Sequence, residues 1–117
     1  MYPHPRIVAL LLALMVHRQK KARARISEKT LRSVSRRSTI RGSFLSDLGG
    51  ELEDIGYVLV SLARGGYALI AISALEGAPS LLARDHIAEE LRSLRNGTLD
   101  EAALWRELGY DDQDEEE

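Results

Sequence analysis

Ten apolar residues in succession, residues 7–16, set the strongest constraint on how this chain folds. As a helix the run covers about 15 Å at 1.5 Å per residue, half of a bilayer's hydrocarbon core of about 30 Å. It is too short to span a membrane. A secretory signal places positive charge before its apolar run and a small-residue cleavage site after it. Here only Arg6 precedes the run, while His17, Arg18, Lys20 and Lys21 follow it. The segment is read as a buried helix over residues 5 to about 21, opened by Pro5, whose missing N–H is unpaired at that position anyway. Ile7, Leu10, Leu11, Leu14 and Met15 share one face, and Val8, Leu12 and Val16 widen it until most of the circumference is apolar. Such a helix belongs in the centre of a core or partly against a second subunit.

The basic stretch that follows, residues 17–25, reads as helix end and linker. Ser27 is placed to cap a second helix, with Glu28 in the first turn, where the helix dipole favours an acid. Leu31 and Val34 supply its apolar contacts, and it ends near Ser35. A turn over residues 35–38 leads to a third helix capped by Ser38 or Thr39. Its apolar positions Ile40, Phe44, Leu48, Leu52 and Ile55 step by four, four, four and three, the helical rhythm. Gly49-Gly50 interrupts it at about 1 kcal/mol per glycine relative to alanine. Either the helix tolerates them for close packing or it breaks there, and the sequence leaves both open.

The clearest local signal is a β-hairpin. Residues 57–62 and 67–73 are rich in aliphatic, β-branched and aromatic side chains, and Ala63-Arg64-Gly65-Gly66 joins them with glycines that accept positive φ. Gly56 stops the third helix before the first arm. Gly77-Ala78-Pro79 is a loop, and Ser80 is expected to cap a fourth helix that runs to about Arg95. Asn96-Gly97 ends it. Thr98 opens a short last helix with Leu104, Trp105 and Leu108 on its apolar side, stopped by Gly109. Six of the seven residues 111–117 are acidic, and that tail is expected to be disordered and solvated.

The expected fold class is mainly α with a small β-hairpin. At 117 residues the chain suits one domain, here residues 1–110 with a core motif at about 26–73 and C-terminal helices at about 80–109. Three helices followed by a tight antiparallel hairpin resemble the winged helix-turn-helix superfamily, with an added N-terminal core helix and C-terminal helices. For such folds the resemblance implies a third helix entering the major groove and a hairpin tip touching the flanking backbone.

Charge placement agrees. Residues 1–46 carry eleven Lys or Arg against one acid, a net of +10, while residues 47–117 carry five Arg against seventeen acids, a net of −12. Such asymmetry points to an electrostatic partner for the first half. The candidate nucleic-acid contacts are Arg36, Arg37, Ser38, Thr39, Arg41 and Ser43 at the start of the third helix, Lys29 and Arg32 on the second, and Arg64 at the hairpin tip. Arg suits the paired acceptors of guanine, and Ser and Thr reach phosphates. Asp47, Glu51, Glu53 and Asp54 would repel phosphate, so only the N-terminal half of the third helix is expected to face DNA. Arg6, Arg18, Lys20 and Lys21 are read as solubilising.

Other classes find less support. There is no cysteine, which removes disulfides, thiolate zinc sites and cysteine nucleophiles, and fits a reducing, cytoplasmic setting. His4, His17 and His86 are too scattered for a metal triad, and the chain has no P-loop, dinucleotide fingerprint or nucleophile elbow. The expectation is a non-enzyme without cofactor that binds double-stranded DNA as a small regulator. Its expected partners are DNA and a second copy of the chain. The alternative is a protein–protein adaptor that uses the first and last helices, with Leu104, Trp105 and Leu108 at the interface. Trp105 is either a core anchor or an interface hot spot. An acidic tail folding back over the basic surface would compete with DNA, and its deletion would then tighten binding.

Overall fold

The computed structural model describes residues 2–110. Residues 111–117, and with them the acidic tail and its proposed autoinhibition, lie outside the described residues. The chain divides into two compact units, Met1–Ala78 and Pro79–Glu117.

The first unit opens with helix α1, Pro5–Gln19. The Nδ1 of His4 accepts the N–H of Arg6 at 3.0 Å and so caps it, with Pro5 at the first position. Lys20 closes it in the left-handed region at φ 66°, donating its N–H to the carbonyl of His17 at 3.2 Å. Val8, Ala9, Leu12 and Val16 are buried, whereas Ile7, Leu10, Leu11, Leu14 and Met15 are 38–47% exposed. The inward stripe is thus the opposite of the one the sequence favours. A helix apolar all round does not label its own core face, and a stripe carrying the small Ala9 lets neighbouring helices approach closely.

Residues 23–26, read as linker, form strand β1, Arg23–Ile26. Helix α2, Glu28–Ser35, begins at the expected cap, where Ser27 Oγ accepts the N–H of Thr30 at 3.0 Å. Helix α3 spans Gly42–Asp54. It starts later than expected: Arg41 is the extended N-cap residue without a side-chain capping bond, and residues 36–41 form the turn. Gly49 and Gly50 do not break it, and a Cβ at either would meet nothing within 4 Å. Neither tight packing nor a helix break accounts for the pair.

Strands β2, Tyr57–Ser61, and β3, Tyr67–Ala71, form the expected hairpin. β3 is the central strand of an antiparallel sheet ordered β1-β3-β2. Ala24 and Leu59 both pair with Leu69, and Ile26 pairs with Tyr67. The side of the sheet that carries these residues faces the core, and the opposite side carries Arg23, Arg25, Val58, Val60, Ala68 and Ile70. Gly66 sits at φ +79° with its missing Cβ only 2.7 Å from the carbonyl oxygen of Ile26, so the loop end closes against the junction of β1 and α2. The hairpin's second arm ends at Ala71, and Ile72–Glu76 forms the short helix α4.

One core joins these elements. Val8, Leu12, Leu31, Phe44, Leu48, Leu52, Tyr67 and Leu69 are buried together, each aliphatic or aromatic side chain contributing roughly 1.5–3 kcal/mol. The 44–48–52 spacing places three of them on one face of α3.

In the second unit the single helix expected from Ser80 is two, α5 Ala83–His86 and α6 Ala88–Asn96, separated where Ile87 leaves helical geometry at φ −133°, ψ 34°. Gly97 ends α6 at φ 74°. Asp100, not Thr98, caps α7, Glu101–Glu107, by accepting the N–H of Ala103 at 3.3 Å. None of these three helices contributes a buried residue.

The described chain is therefore helix-rich with a small three-stranded antiparallel sheet, a layout compatible with a winged helix. No described helix is long and apolar enough to cross a membrane.

Candidate nucleic-acid interface

The corner between α2 and α3 gathers most of the polar and basic groups expected to act together. Lys29, Arg32 and Arg36 follow at intervals of three and four along α2 and its C-cap, so they share one helical face. Arg36 holds the left-handed conformation at φ 57°, with its N–H returned to the carbonyl of Ser33 at 3.3 Å. Ser38 and Thr39 are exposed in the turn, Arg41 is exposed at the N-cap of α3, and Ser43 is exposed in its first turn. No carboxylate occurs between Lys29 and Ser46. The first turn of α3 contains no acid, so the unpaired N–H groups of that turn keep their positive end.

Two arginines of the expected set are otherwise engaged. Arg32 donates from Nη1 to Oε2 of Glu28 at 2.9 Å, a partly exposed pair one turn apart. Arg37 packs on aromatic rings. Its guanidinium lies over the ring of Phe44 at 4.1 Å and over the ring of Tyr2 at 4.5 Å. Its Nε is buried without a hydrogen-bond partner. The chain folds this way because the long turn before α3 lets the guanidinium turn back over Phe44, the first core residue of that helix.

Arg64 lies on the β2–β3 loop, exposed, apart from the turn. The approach of Gly66 to the backbone of Ile26 and Ser27 brings that loop beside the first turn of α2, which carries Lys29. There Arg25, Ser27, Glu28, Leu62 and Gly65 help to line a cleft of about 340 Å³. Arg25 was missed by the sequence reading, which placed it in a linker. The alternation of Arg23, Ala24, Arg25 and Ile26 was the available signal, but four residues are too few to establish a period of two.

The second half of α3 is acidic, as anticipated. Asp47, Gly50, Glu51, Glu53 and Asp54 line an open groove of about 510 Å³ with His4 and Pro5. The N-terminus of α1 faces those carboxylates, and its positive dipole end explains their placement without a ligand.

Tyr67 is held above its ordinary value. Burial raises its phenol, the Glu28 carboxylate raises it further, and Arg32 opposes both. The histidines are dispersed: His4 caps α1, His17 lies in its last turn and His86 ends α5. Among the described residues no group of three or more His, Asp or Glu is arranged to hold a metal ion.

In the second unit Trp105 is 45% exposed and Leu108 is 70% exposed, so the core-anchor reading of Trp105 does not hold. Its indole N–H donates to Glu101 Oε2 at 3.1 Å, and the Tyr110 ring meets it edge-on at 5.5 Å. Leu104 is half-buried and lines a groove of about 270 Å³ with His86, Ile87, Glu90, Glu107 and Leu108.

No protein-family model matches this chain, and no curated protein or solved structure is significantly similar to it.

Proposed function

We propose that this chain is a small DNA-binding regulator of winged helix-turn-helix type that works without catalysis. The element order α1-β1-α2-α3-β2-β3, with β3 central, is the layout in which α3 serves as the recognition helix and the β2–β3 loop as the wing. The observation that carries the reading is the α2–α3 corner, where Arg36, Ser38, Thr39, Arg41 and Ser43 are concentrated without an intervening acid, with Lys29 about two turns back along the same face of α2. Arg36 and Arg41 supply charge and paired donors, the hydroxyls reach phosphates, and Arg64 meets the flanking backbone. The acids after Ser46 restrict groove entry to the first turns of α3.

Binding of the purified protein to random-sequence duplex DNA across a salt series tests this. Affinity should fall steeply with salt, and replacing Arg36 and Arg41 by alanine should lower the log–log slope by about one for each lost phosphate contact. No binding by the unaltered protein at low salt would remove the reading.

A second reading has its own observation. The described part of the second unit exposes Leu81, Leu94, Trp105 and Leu108 and buries no apolar side chain. Small units without a core are marginal alone. A protein partner inserting an apolar side chain between Ile87 and Leu104, with a basic residue near Glu90 or Glu107, would complete it. Under this adaptor reading Leu108→Glu abolishes partner binding, while reversal of Arg36 and Arg41 leaves it unchanged.

A further inference from the structure

The densest run of positive charge in the first unit lies outside the α2–α3 corner. Arg18, Lys20, Lys21, Arg23 and Arg25 fall within the eight residues 18–25, with no acid among them. By sequence such a run is a solvated linker, but the fold orders it. Gln19 Nε2 donates to the carbonyls of Lys21 at 3.2 Å and Arg23 at 2.9 Å. Ala71, at the end of β3, donates its N–H to the carbonyl of Ala22 at 2.8 Å. The connection from α1 to β1 is thereby tied to the sheet.

Strand pairing then sets the direction of two of these cations. Ala24 and Ile26 pack with Leu69 and Tyr67 on the core side. Arg23 and Arg25 therefore stand on the other side of the sheet, paired with Ile70 and Ala68. Ala68 is short, and Arg23, Arg25, Ala68 and Ile70 line a depression of about 390 Å³. Among the described residues of the first unit neither arginine forms an ion pair. Arg25 also lines the cleft beside Leu62 and Gly65, which carries the row toward the hairpin loop that bears Arg64.

We propose that Arg23 and Arg25 hold successive phosphates of a nucleic-acid backbone, a second contact track on the side of the sheet turned away from α3. This track rests on the DNA-binding reading for its ligand and uses a face which that reading leaves out. Alternate residues of a strand stand about 7 Å apart on one face, close to the separation of neighbouring phosphates along one chain of nucleic acid. Each guanidinium fork offers paired donors to one phosphate. Ordering by Gln19 and by the sheet reduces the entropy lost on binding. The neighbours Val58, Val60, Ala68 and Ile70 include no aromatic ring, so there is no platform for a base to stack on and no large wedge for a bilayer. The track reads backbone charge and not sequence.

Salt-dependent affinity for random-sequence duplex DNA separates the two faces. Arg23→Ala combined with Arg25→Ala should lower the log–log slope by about two, while lysine at both positions should keep it. Arg36→Ala with Arg41→Ala should remove its own share, and the four changes together should sum. Circular dichroism checks that each variant is folded. Capture of a second, labelled duplex by protein on an immobilised one would assign the phosphates to another duplex. A longer footprint without capture would assign them to the flank of the same one, and either result supports the track. A slope unchanged by the Arg23 and Arg25 variants, beside one lowered at Arg36 and Arg41, would overturn the track and leave the corner standing. The reverse pattern would keep the track and remove the corner. A lower unfolding midpoint with an unchanged slope would mean that acids of the chain itself neutralise these arginines. Binding to anionic lipid vesicles but not to DNA would mean a membrane ligand, and each of these two results would overturn the proposal.

Discussion

The guanidinium of Arg37 packs on the ring of Phe44 with its central carbon 4.1 Å from the ring centroid, and it lies 4.5 Å from the centroid of the Tyr2 ring. Arg37, a candidate DNA contact in the sequence, ties the N-terminal segment and the α2–α3 turn to the first core residue of α3. The planar guanidinium suits stacking on aromatic rings in a way the lysine ammonium does not. With Nε buried and unpaired, the rings supply the compensation for desolvating the cation.

Arg37→Ala should therefore lower stability by about 1–2 kcal/mol, the range for partly desolvated cation–π contacts, and Arg37→Lys should recover only part of it. Denaturant midpoints at constant m-value measure this. An unchanged midpoint in Arg37→Ala would mean the stack contributes nothing.

Glu28 offsets the charge of Arg32 beside the proposed interface. Glu28→Gln removes one negative charge and frees Arg32, so affinity for duplex DNA should rise severalfold at low salt and the salt slope should steepen. The cost to α2 should be small, since an exposed pair one turn apart contributes about 0.3–0.5 kcal/mol. Weaker binding by this variant would place Arg32 outside the footprint.

The glycines of α3 and of the hairpin should respond in opposite ways. Gly49 and Gly50 are helical, with open space where a Cβ would stand, so alanine at either should stabilise the protein by about 0.5–1 kcal/mol. Gly66 combines φ +79° with a Cβ position 2.7 Å from a backbone oxygen. Gly66→Ala should destabilise by at least 1 kcal/mol (about the scale of local backbone strain). Thermal midpoints of the three variants check both signs.

Tyr67 predicts the alkaline limb of stability. Its folded phenol is raised above the ordinary value of 10.0, chiefly by burial. A raised value means that the folded state holds the proton more tightly than the unfolded state. This contribution is complete below the unfolded value and is lost as pH rises through the folded one. Stability should fall above about pH 10, and Tyr67→Phe should flatten that fall. An identical pH profile in the variant would assign the alkaline limb to other groups.

Much of the local structure was legible because its causes are local. Ser27 and Glu28 announce α2 from within one turn, the steps from Phe44 to Leu52 announce α3, and Gly56 and Gly65-Gly66 bound the hairpin. The exposed candidates Lys29, Arg36, Arg41 and Arg64 were legible for the same reason, since a charged residue off the apolar period faces solvent. Arg37 was not. Its fate depends on the Phe44 ring and on Tyr2, thirty-five residues earlier in the chain.

What the sequence by itself determined was the set of elements whose hydrogen bonds close within a few residues, together with a basic first half and an acidic second half. Tertiary structure alone decided the rest. Residues 23–26 become a strand only because β3 offers them an open edge more than forty positions away. The inward face of α1 is chosen by what packs on it, since both sides are equally apolar. The helix expected from Ser80 divides at Ile87, for which no physical account is apparent in the residues themselves. Short-range capping and periodicity are written in neighbouring residues, whereas edge pairing, face selection and stacking depend on partners that only the folded chain brings together.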